Sequence, residues 1–311
     1  MKIVIVGPGA MGLMLAARLA MAGAQVSLLD HRAQRARTIN EQGVLLEHSQ
    51  GQERLAIPAG ADSAALADAD LAVICTKAYH TQEVARTLRS HLNPQARALT
   101  LQNGAENVET LVDALGPERV LGGITSEGAT LLGPGKVRHA GRGVTHIGPA
   151  RGLLDDYTCQ VRDLLIKAGF ETEANEGVQN LIWTKVVINA GINPLTAILD
   201  VLNGQLLELA PAREVMAEAV AEAVAVGKAL GVRFLHQDML AAVQQVARRT
   251  GTNISSMRQD VLSKRRTEVA YINGAVVRQG EQVGLPTPVN RTLTQLVQAK
   301  EAEYLGEANK D

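Results

Sequence analysis

The chain has 311 residues, 46% hydrophobic but only 2% aromatic, and its 31 basic and 32 acidic residues leave a net charge of −1. That length is too great for one small core and fits two domains built from Ala, Leu, Val and Ile. The even charge, without a basic patch or tail, argues against nucleic acid as the main partner, and the two cysteines and seven histidines match no metal-ligand spacing.

The run Ile3-Val4-Ile5-Val6 predicts a strand over residues 2–6, apolar on both faces as in the middle of a parallel sheet. It leads into Gly7-Pro8-Gly9-Ala10-Met11-Gly12 and then a helical pattern over 10–22 that Gly23 ends. Lys2, the apolar stretch to Ala20 and the small residues Ala22-Gly23-Ala24 imitate a signal peptide. The glycines and Pro8 interrupt that reading, whereas strand, loop and helix account for every residue. No run reaches the roughly 18–20 uninterrupted apolar residues of a membrane span, so the expectation is a soluble, cytoplasmic protein with no membrane partner.

In a strand–loop–helix each glycine has its own task. Gly7 permits the tight turn, Gly9 lets the backbone approach a pyrophosphate, and Gly12 allows close helix–strand packing. The helix start then offers N–H groups and positive dipole character to the phosphates. Pro8, Ala10 and Met11 complete this cofactor loop.

A second strand over 25–29 ends at Asp30-His31-Arg32. An acid there hydrogen-bonds the ribose hydroxyls of NAD, while Arg32 and Arg35 suit the 2′-phosphate of NADP; spacing leaves both open. Strands over 71–75 and 98–101 alternate with helical stretches around 33–42, 63–67, 79–90 and 105–115. This alternation predicts right-handed crossovers and a doubly wound parallel sheet. Thr76-Lys77-Ala78 and Gln102-Asn103-Gly104 follow two of these strands, where open sheets bind ligands; Lys77 can approach cofactor or substrate oxygens. Asn103 can bind an amide or carbonyl, or simply shape a turn with Gly104.

Nine glycines and prolines from Gly122 to Gly148 punctuate Thr- and Val-rich runs, predicting antiparallel hairpins added to the parallel sheet. His139 and His146 read as strand-surface residues, and Cys75 and Cys159 as small buried apolar ones. A helix over 153–168 and a strand near 170–174 close the α/β part. The expected division is therefore 1–174, a Rossmann-type dinucleotide-binding domain, and 175–311, an all-α substrate domain.

The second part has helical spacing over 177–193, 205–230, 236–249 and 267–283. Lys185, Asn189 and Asn193 fall at i, i+4 and i+8, on one stripe of the first of these helices, among Val186, Val187, Ile188 and Ile192. A cation and two amides where aliphatic residues belong need a partner or a use. Over 205–230, Ala212, Val215, Met216, Ala219, Val220, Ala223 and Val226 form an apolar stripe for the core or a dimer contact, with Glu208, Glu214, Glu218 and Glu222 read as solvated. Ser255 or Ser256 is placed as an N-cap for a segment over 257–263, and Glu268 reads as a surface residue by pattern alone.

The blocks Gly7-x-Gly9-x-x-Gly12, Leu101-Gln102-Asn103-Gly104, Trp183-x-Lys185-x-x-x-Asn189-x-x-x-Asn193-Pro194-Leu195-Thr196-Ala197, Asn203-Gly204, Ser255-Ser256-Met257-x-Gln259-Asp260-Val261 and Arg266-Thr267-Glu268 recur in one family. With Lys77 after its strand, and with Tyr271-Ile272-Asn273-Gly274, they make the whole chain resemble the ketopantoate reductase (2-dehydropantoate 2-reductase) family. The resemblance implies NADPH-dependent reduction of a 2-keto acid, with Lys185 as general acid and Glu268 as its neighbour, touching the hydroxyl and the cofactor. It implies that Ser256, Asn189, Asn193 and Asn203 hold the substrate, that Asn103 meets nicotinamide or substrate, and that Lys77 and Arg32 face the cofactor. Members commonly place Arg directly after the second strand; here Asp30 and His31 precede Arg32, so NADP is favoured and NAD stays open. A reductase of another branched 2-keto acid and a non-catalytic NADP-binding sensor are the competing readings, and either a monomer or a homodimer fits.

Overall fold

Ile3 to Val6 are buried in β1 (Lys2–Val6), as a strand covered on both faces requires. The computed structural model describes residues 1–307. They fall into two units: Met1–Gln102 with Asn107–Val178, and Asn103–Glu106 with Gln179 onward. The sequence placed a single division at 174. The units part four residues later, and a short segment from the first half joins the second unit.

In the first unit β1 is followed by α1 (Ala10–Met21), β2 (Gln25–Leu29), α2 (Ala33–Gln42), β3 (Val44–His48), β4 (Gly51–Leu55) and β5 (Ala59–Gly60). Then come β6 (Leu71–Ile74), α3 (Thr81–His91), β7 (Arg97–Thr100), α4 (Asn107–Leu115), β8 (Val120–Thr125), β9 (Gly128–Gly133) and β10 (Lys136–Gly141). β11 (Thr145–Pro149), α5 (Asp156–Lys167) and β12 (Thr172–Ala174) complete it. The main sheet runs β12-β11-β8-β7-β6-β1-β2-β5, and every neighbouring pair is parallel except β8 with β11. Ile3 lies opposite Val26 on one side and Leu71 on the other. The strand order therefore reverses at β1 and β6, and their C-terminal ends open the crevice where such sheets take ligands.

The glycine-rich hairpins differ from expectation. β8 and β11 extend the main sheet, but β9 and β10 build a second sheet, ordered β4-β3-β10-β9, with two strands the sequence did not announce. β4 is Gly-Gln-Glu-Arg-Leu and mostly exposed, and its sheet forms from segments far apart in the chain. Local periodicity carries no trace of such pairing. His139 is correspondingly not a surface residue: its imidazole lies 2.5 Å from Glu127 and 3.3 Å from Arg18, with little of the Glu or His side chain exposed. His146 stays partly exposed, 3.3 Å from Glu173. Cys75 and Cys159 are free thiols at intermediate exposure, and burial pushes the Cys75 thiol up to about 12.

The second unit contains α6 (Val178–Leu199, from Gln179), α7 (Ala210–Ala229), α8 (Met239–Arg249), α9 (Ser256–Leu262), α10 (Asn273–Gln282) and α11 (Pro288–Glu307). Ala190, Ala197, Met257, Val269, Ile272 and Val297 form a core cluster. The predicted stripe of α7 is buried except for Val215, which is half-buried, and Glu208, Glu214 and Glu218 are exposed. Glu222 departs from that reading: it accepts from Val289 N (2.8 Å) and Asn290 N (2.9 Å), and so caps α11. The stretch 267–283 is a single turn at Val269–Tyr271 followed by α10, divided at Ile272 (φ −106°, ψ −86°). α11 lies outside the sequence expectation: its apolar residues are sparse, and Pro286 and Pro288 stand at its start. Among the described residues α6 alone has the length and composition to cross a membrane, and 78% of that stretch is buried inside the protein.

Candidate functional site

In the first unit the loop after β1 is shaped for an anion. Gly7 has φ +96°, and a Cβ on it would lie 2.6–3.0 Å from Thr76. A Cβ on Gly12 would lie 2.2 Å from the carbonyl oxygen of Gly7, so the first turn of α1 rests directly on the loop. Above Gly9 the space is open, with nothing within 4 Å of a Cβ. Gly9 caps α1 without a side chain, and the first turn holds no acid. The N–H groups of Ala10, Met11 and Gly12 keep the donor capacity and positive dipole of a helix start. These features fit a dinucleotide pyrophosphate.

Asp30 is turned inward at the end of β2. It is 0% exposed, and its carboxylate accepts from Arg32 N (3.0 Å), from Arg35 NH2 (2.7 Å) and from Arg35 Nε. Arg35 is thus clasped inward. Arg32 is exposed, with its Nε 3.2 Å from the His31 ring. Beyond β6, Gln102 Nε2 donates to the carbonyl (2.9 Å) and hydroxyl (3.1 Å) of Thr76, fixing the strand end from which Lys77 projects.

In the second unit Lys185, Asn189 and Asn193 share a stripe of α6, and Asn193 is buried. The helical spacing predicted an end at 193, and Pro194 lacks an N–H and so leaves the Ala190 carbonyl without its i+4 donor. The helix continues to Leu199 because Asn273 Nδ2 donates to that carbonyl at 3.1 Å. Asn273 is fully buried and also bonds Asn290 Oδ1 at 3.0 Å. Asn273→Leu should therefore destabilise the protein by about 2–4 kcal/mol through orphaned acceptors. Urea unfolding checks it; an unchanged midpoint would remove Asn273 as the helix's replacement donor.

Burial lowers the Lys185 ammonium from 10.5 to about 8, and the Glu268 carboxylate acts in the opposite direction. Glu268 is itself buried, contrary to the surface reading, and Asn103 Nδ2 lies 3.4 Å from its Oε2. Asn103 belongs to the short segment grouped with this unit, tied through Glu106 to Arg278 (2.5 Å) and Gln279 (3.2 Å). The backbone beside Glu268 is pinned by Glu301, a buried acceptor for Thr267 N (2.7 Å) and the Thr267 hydroxyl. Ser255 is the N-cap of α9, accepting from Arg258 N (3.1 Å), and its hydroxyl lies 2.7 Å from that of Thr196. Ser256, the first helical residue, is left exposed. Thr196 bonds the Asn193 carbonyl (2.9 Å), which links α9 to the polar stripe. Asn203 is buried, and its N–H bonds Asn253 O at 3.2 Å.

Sequence reasoning gave no role to Thr196 and Asn273, which it quoted only within longer blocks, and passed over Glu301. Only Asn273 left a signal: a proline inside a polar-striped helix demands a substitute donor. Among the described residues no cluster of three or more His, Cys, Asp and Glu is placed to hold a metal.

A glycine loop at the switch point of a parallel sheet, and a helical unit holding a depressed ammonium beside a buried carboxylate, define a two-part nicotinamide-dependent oxidoreductase. The chain belongs to the ketopantoate reductase family: the Ketopantoate reductase PanE/ApbA model matches residues 3–152, and its C-terminal counterpart matches 177–301. It is 40% identical to 2-dehydropantoate 2-reductase of Halobacterium salinarum over 298 residues, which is 96% of this chain and 98% of the relative. Among solved structures, the PanE/ApbA family ketopantoate reductase of Ralstonia eutropha superposes with TM-score 0.90 at 32% identity, covering 98% of this chain and 100% of that one. A D-mandelate dehydrogenase solved with NADH and anilino(oxo)acetate superposes with TM-score 0.91 at 28% identity, covering 98% and 99%.

Proposed function

We propose that this protein reduces 2-dehydropantoate to pantoate with NADPH, and that Lys185 is the acid. The observation that carries the reading is the ammonium brought down to about 8 by burial, on the same stripe as two amides and in the field of Glu268. Bound NADPH supplies hydride to the C2 carbonyl carbon. Lys185 gives its proton to the C2 oxygen, and its charge stabilises the negative charge developing there. Glu268 keeps the ammonium protonated, and the Asn103 amide holds one of its carboxylate oxygens. Asn189, Asn193, Asn203 and Ser256 orient the substrate carboxylate and hydroxyls. The same reading makes the protein a soluble, cytoplasmic enzyme with a small 2-keto acid as its partner, acting as monomer or homodimer.

On the cofactor side, Gly7, Pro8, Gly9, Ala10, Met11 and Gly12 carry the pyrophosphate, and Lys77 supplies a cation. The buried Asp30–Arg35 pair supports NADPH over NADH. A fully buried acid already engaged by an arginine and a backbone N–H is poorly placed for a ribose hydroxyl, while Arg32 stays at the surface for a 2′-phosphate. Arg32→Ala should raise KM for NADPH about tenfold or more and leave that for NADH within about twofold. Equal losses would count against the assignment.

A second reading, reduction of a different 2-keto acid, draws on the likeness to the mandelate enzyme. Steady-state oxidation of NADPH and NADH with ketopantoate, ketoisovalerate and pyruvate separates the two. Highest kcat/KM with ketopantoate and NADPH is the expected result; preference for an alkyl keto acid would move the substrate.

A further inference from the structure

Asn203 is only 7% exposed, and its Nδ2 lies 2.9 Å from the hydroxyl of Thr250, at the end of α8. An amide reversed end for end has nearly the same shape, so its polarity has to follow from the partner's chemistry. Thr250 has one hydroxyl proton, and that proton is engaged by the Val246 carbonyl at 2.8 Å. Towards Asn203 the hydroxyl oxygen can only accept. The amide nitrogen must therefore face Thr250, which turns the carbonyl oxygen Oδ1 the other way. That oxygen is buried and has no hydrogen-bond partner among the described residues.

The arrangement is held on both strands of the contact. Asn203 N bonds Asn253 O at 3.2 Å, Gly204 N bonds Gly251 O at 3.1 Å, and a Cβ on Gly204 would come 2.9 Å from the Gly251 backbone. The same turn runs on to Ser255, bonded to Thr196 three residues beyond Asn193.

We propose that Thr250 is a positioning residue which fixes Asn203 as a hydrogen-bond acceptor, and that the site thereby selects 2-keto acids bearing a hydroxyl donor. The proposal rests on the reading of Asn203 as a substrate contact. A buried acceptor is satisfied by a substrate hydroxyl and left unpaired by an alkyl group, so a substrate lacking the hydroxyl is rejected. With Thr250 unable to accept, the amide is free to reverse, and the discrimination falls.

The test compares kcat/KM of the full-length enzyme for 2-dehydropantoate and for its deoxy analogue, in which hydrogen replaces the terminal hydroxyl. Thr250→Val should lower the preference for the hydroxylated substrate about tenfold, through KM, with the deoxy analogue turned over near the wild-type rate. Thr250→Ser keeps the accepting oxygen and should keep the preference. If Thr250→Val does not accumulate as folded protein, Thr250→Ala provides the same comparison. Equal loss on both substrates, or an unchanged preference, would overturn the proposal. Asn203→Ala separates the two levels. If it retains the wild-type preference, the substrate contact is wrong and the proposal falls with it. If it abolishes the preference while Thr250→Val does not, the role of Thr250 alone is refuted.

Discussion

Lys185→Met lowers kcat by about 10²–10⁴-fold, the range for removing a general acid, while NADPH affinity stays within about twofold. The substitution keeps the length and apolar stem of the side chain and removes only the charge. Stability should move the other way. The folded protein holds Lys185 at about 8, against 10.5 for the free side chain, because burial disfavours the ammonium. Between those two values the unfolded chain binds the extra proton, so this group makes the fold more stable as pH rises through the window. At neutral pH its cost is fully present, and Lys185→Met should raise Tm. Stopped turnover with a raised Tm marks a residue kept for chemistry at the expense of stability. Near-normal turnover would sink Lys185 as the acid.

Gly12→Ala is the second large effect, and it falls on the fold before the cofactor. The added methyl would lie 2.2 Å from the Gly7 carbonyl oxygen and 3.2 Å from Ile5 Cγ2, so either α1 or the loop has to shift. An overpacked contact against backbone costs about 3 kcal/mol. Thermal unfolding should show the loss without any ligand, with NADPH binding weakened as well. Gly9→Ala is the matched control: its Cβ meets nothing within 4 Å, so the fold should survive and only dinucleotide affinity should fall. A Gly9→Ala protein with unaltered NADPH affinity would argue that no phosphate lies over that loop.

The parts of this architecture visible in the sequence are those whose signal is local. β1, the glycine loop and α1 follow one another directly, and the stripe Lys185, Asn189, Asn193 needs only the helical period. The parts that were hidden depend on partners far away in the chain. β3, paired with β4, meets β10 about ninety residues later, so their weak patterning did not betray a sheet. Glu222 looked solvated from its own helix, yet it caps α11 some 67 residues downstream. Glu268 looked like a surface residue by pattern, yet it is buried, with Asn103, from 165 residues earlier in the chain, 3.4 Å away. The helix predicted to end at 193 runs on through Pro194, because Asn273 supplies the missing donor. In each case a side chain satisfies a backbone group or a charge that local pattern leaves open, and such accounting needs the third dimension.

The most direct measurement is the pH dependence of kcat/KM for ketopantoate, for wild-type enzyme and Glu268→Gln. Reduction requires the ammonium, and kcat/KM reports the enzyme before substrate binds, so the wild-type value should be level at lower pH and fall as pH rises past about 8. Glu268 raises the Lys185 value, so neutralising it should carry the falling limb to lower pH. A wild-type profile with no fall near that pH, or a limb that moves upward in Glu268→Gln, would contradict Lys185 as an acid poised by burial and held protonated by Glu268.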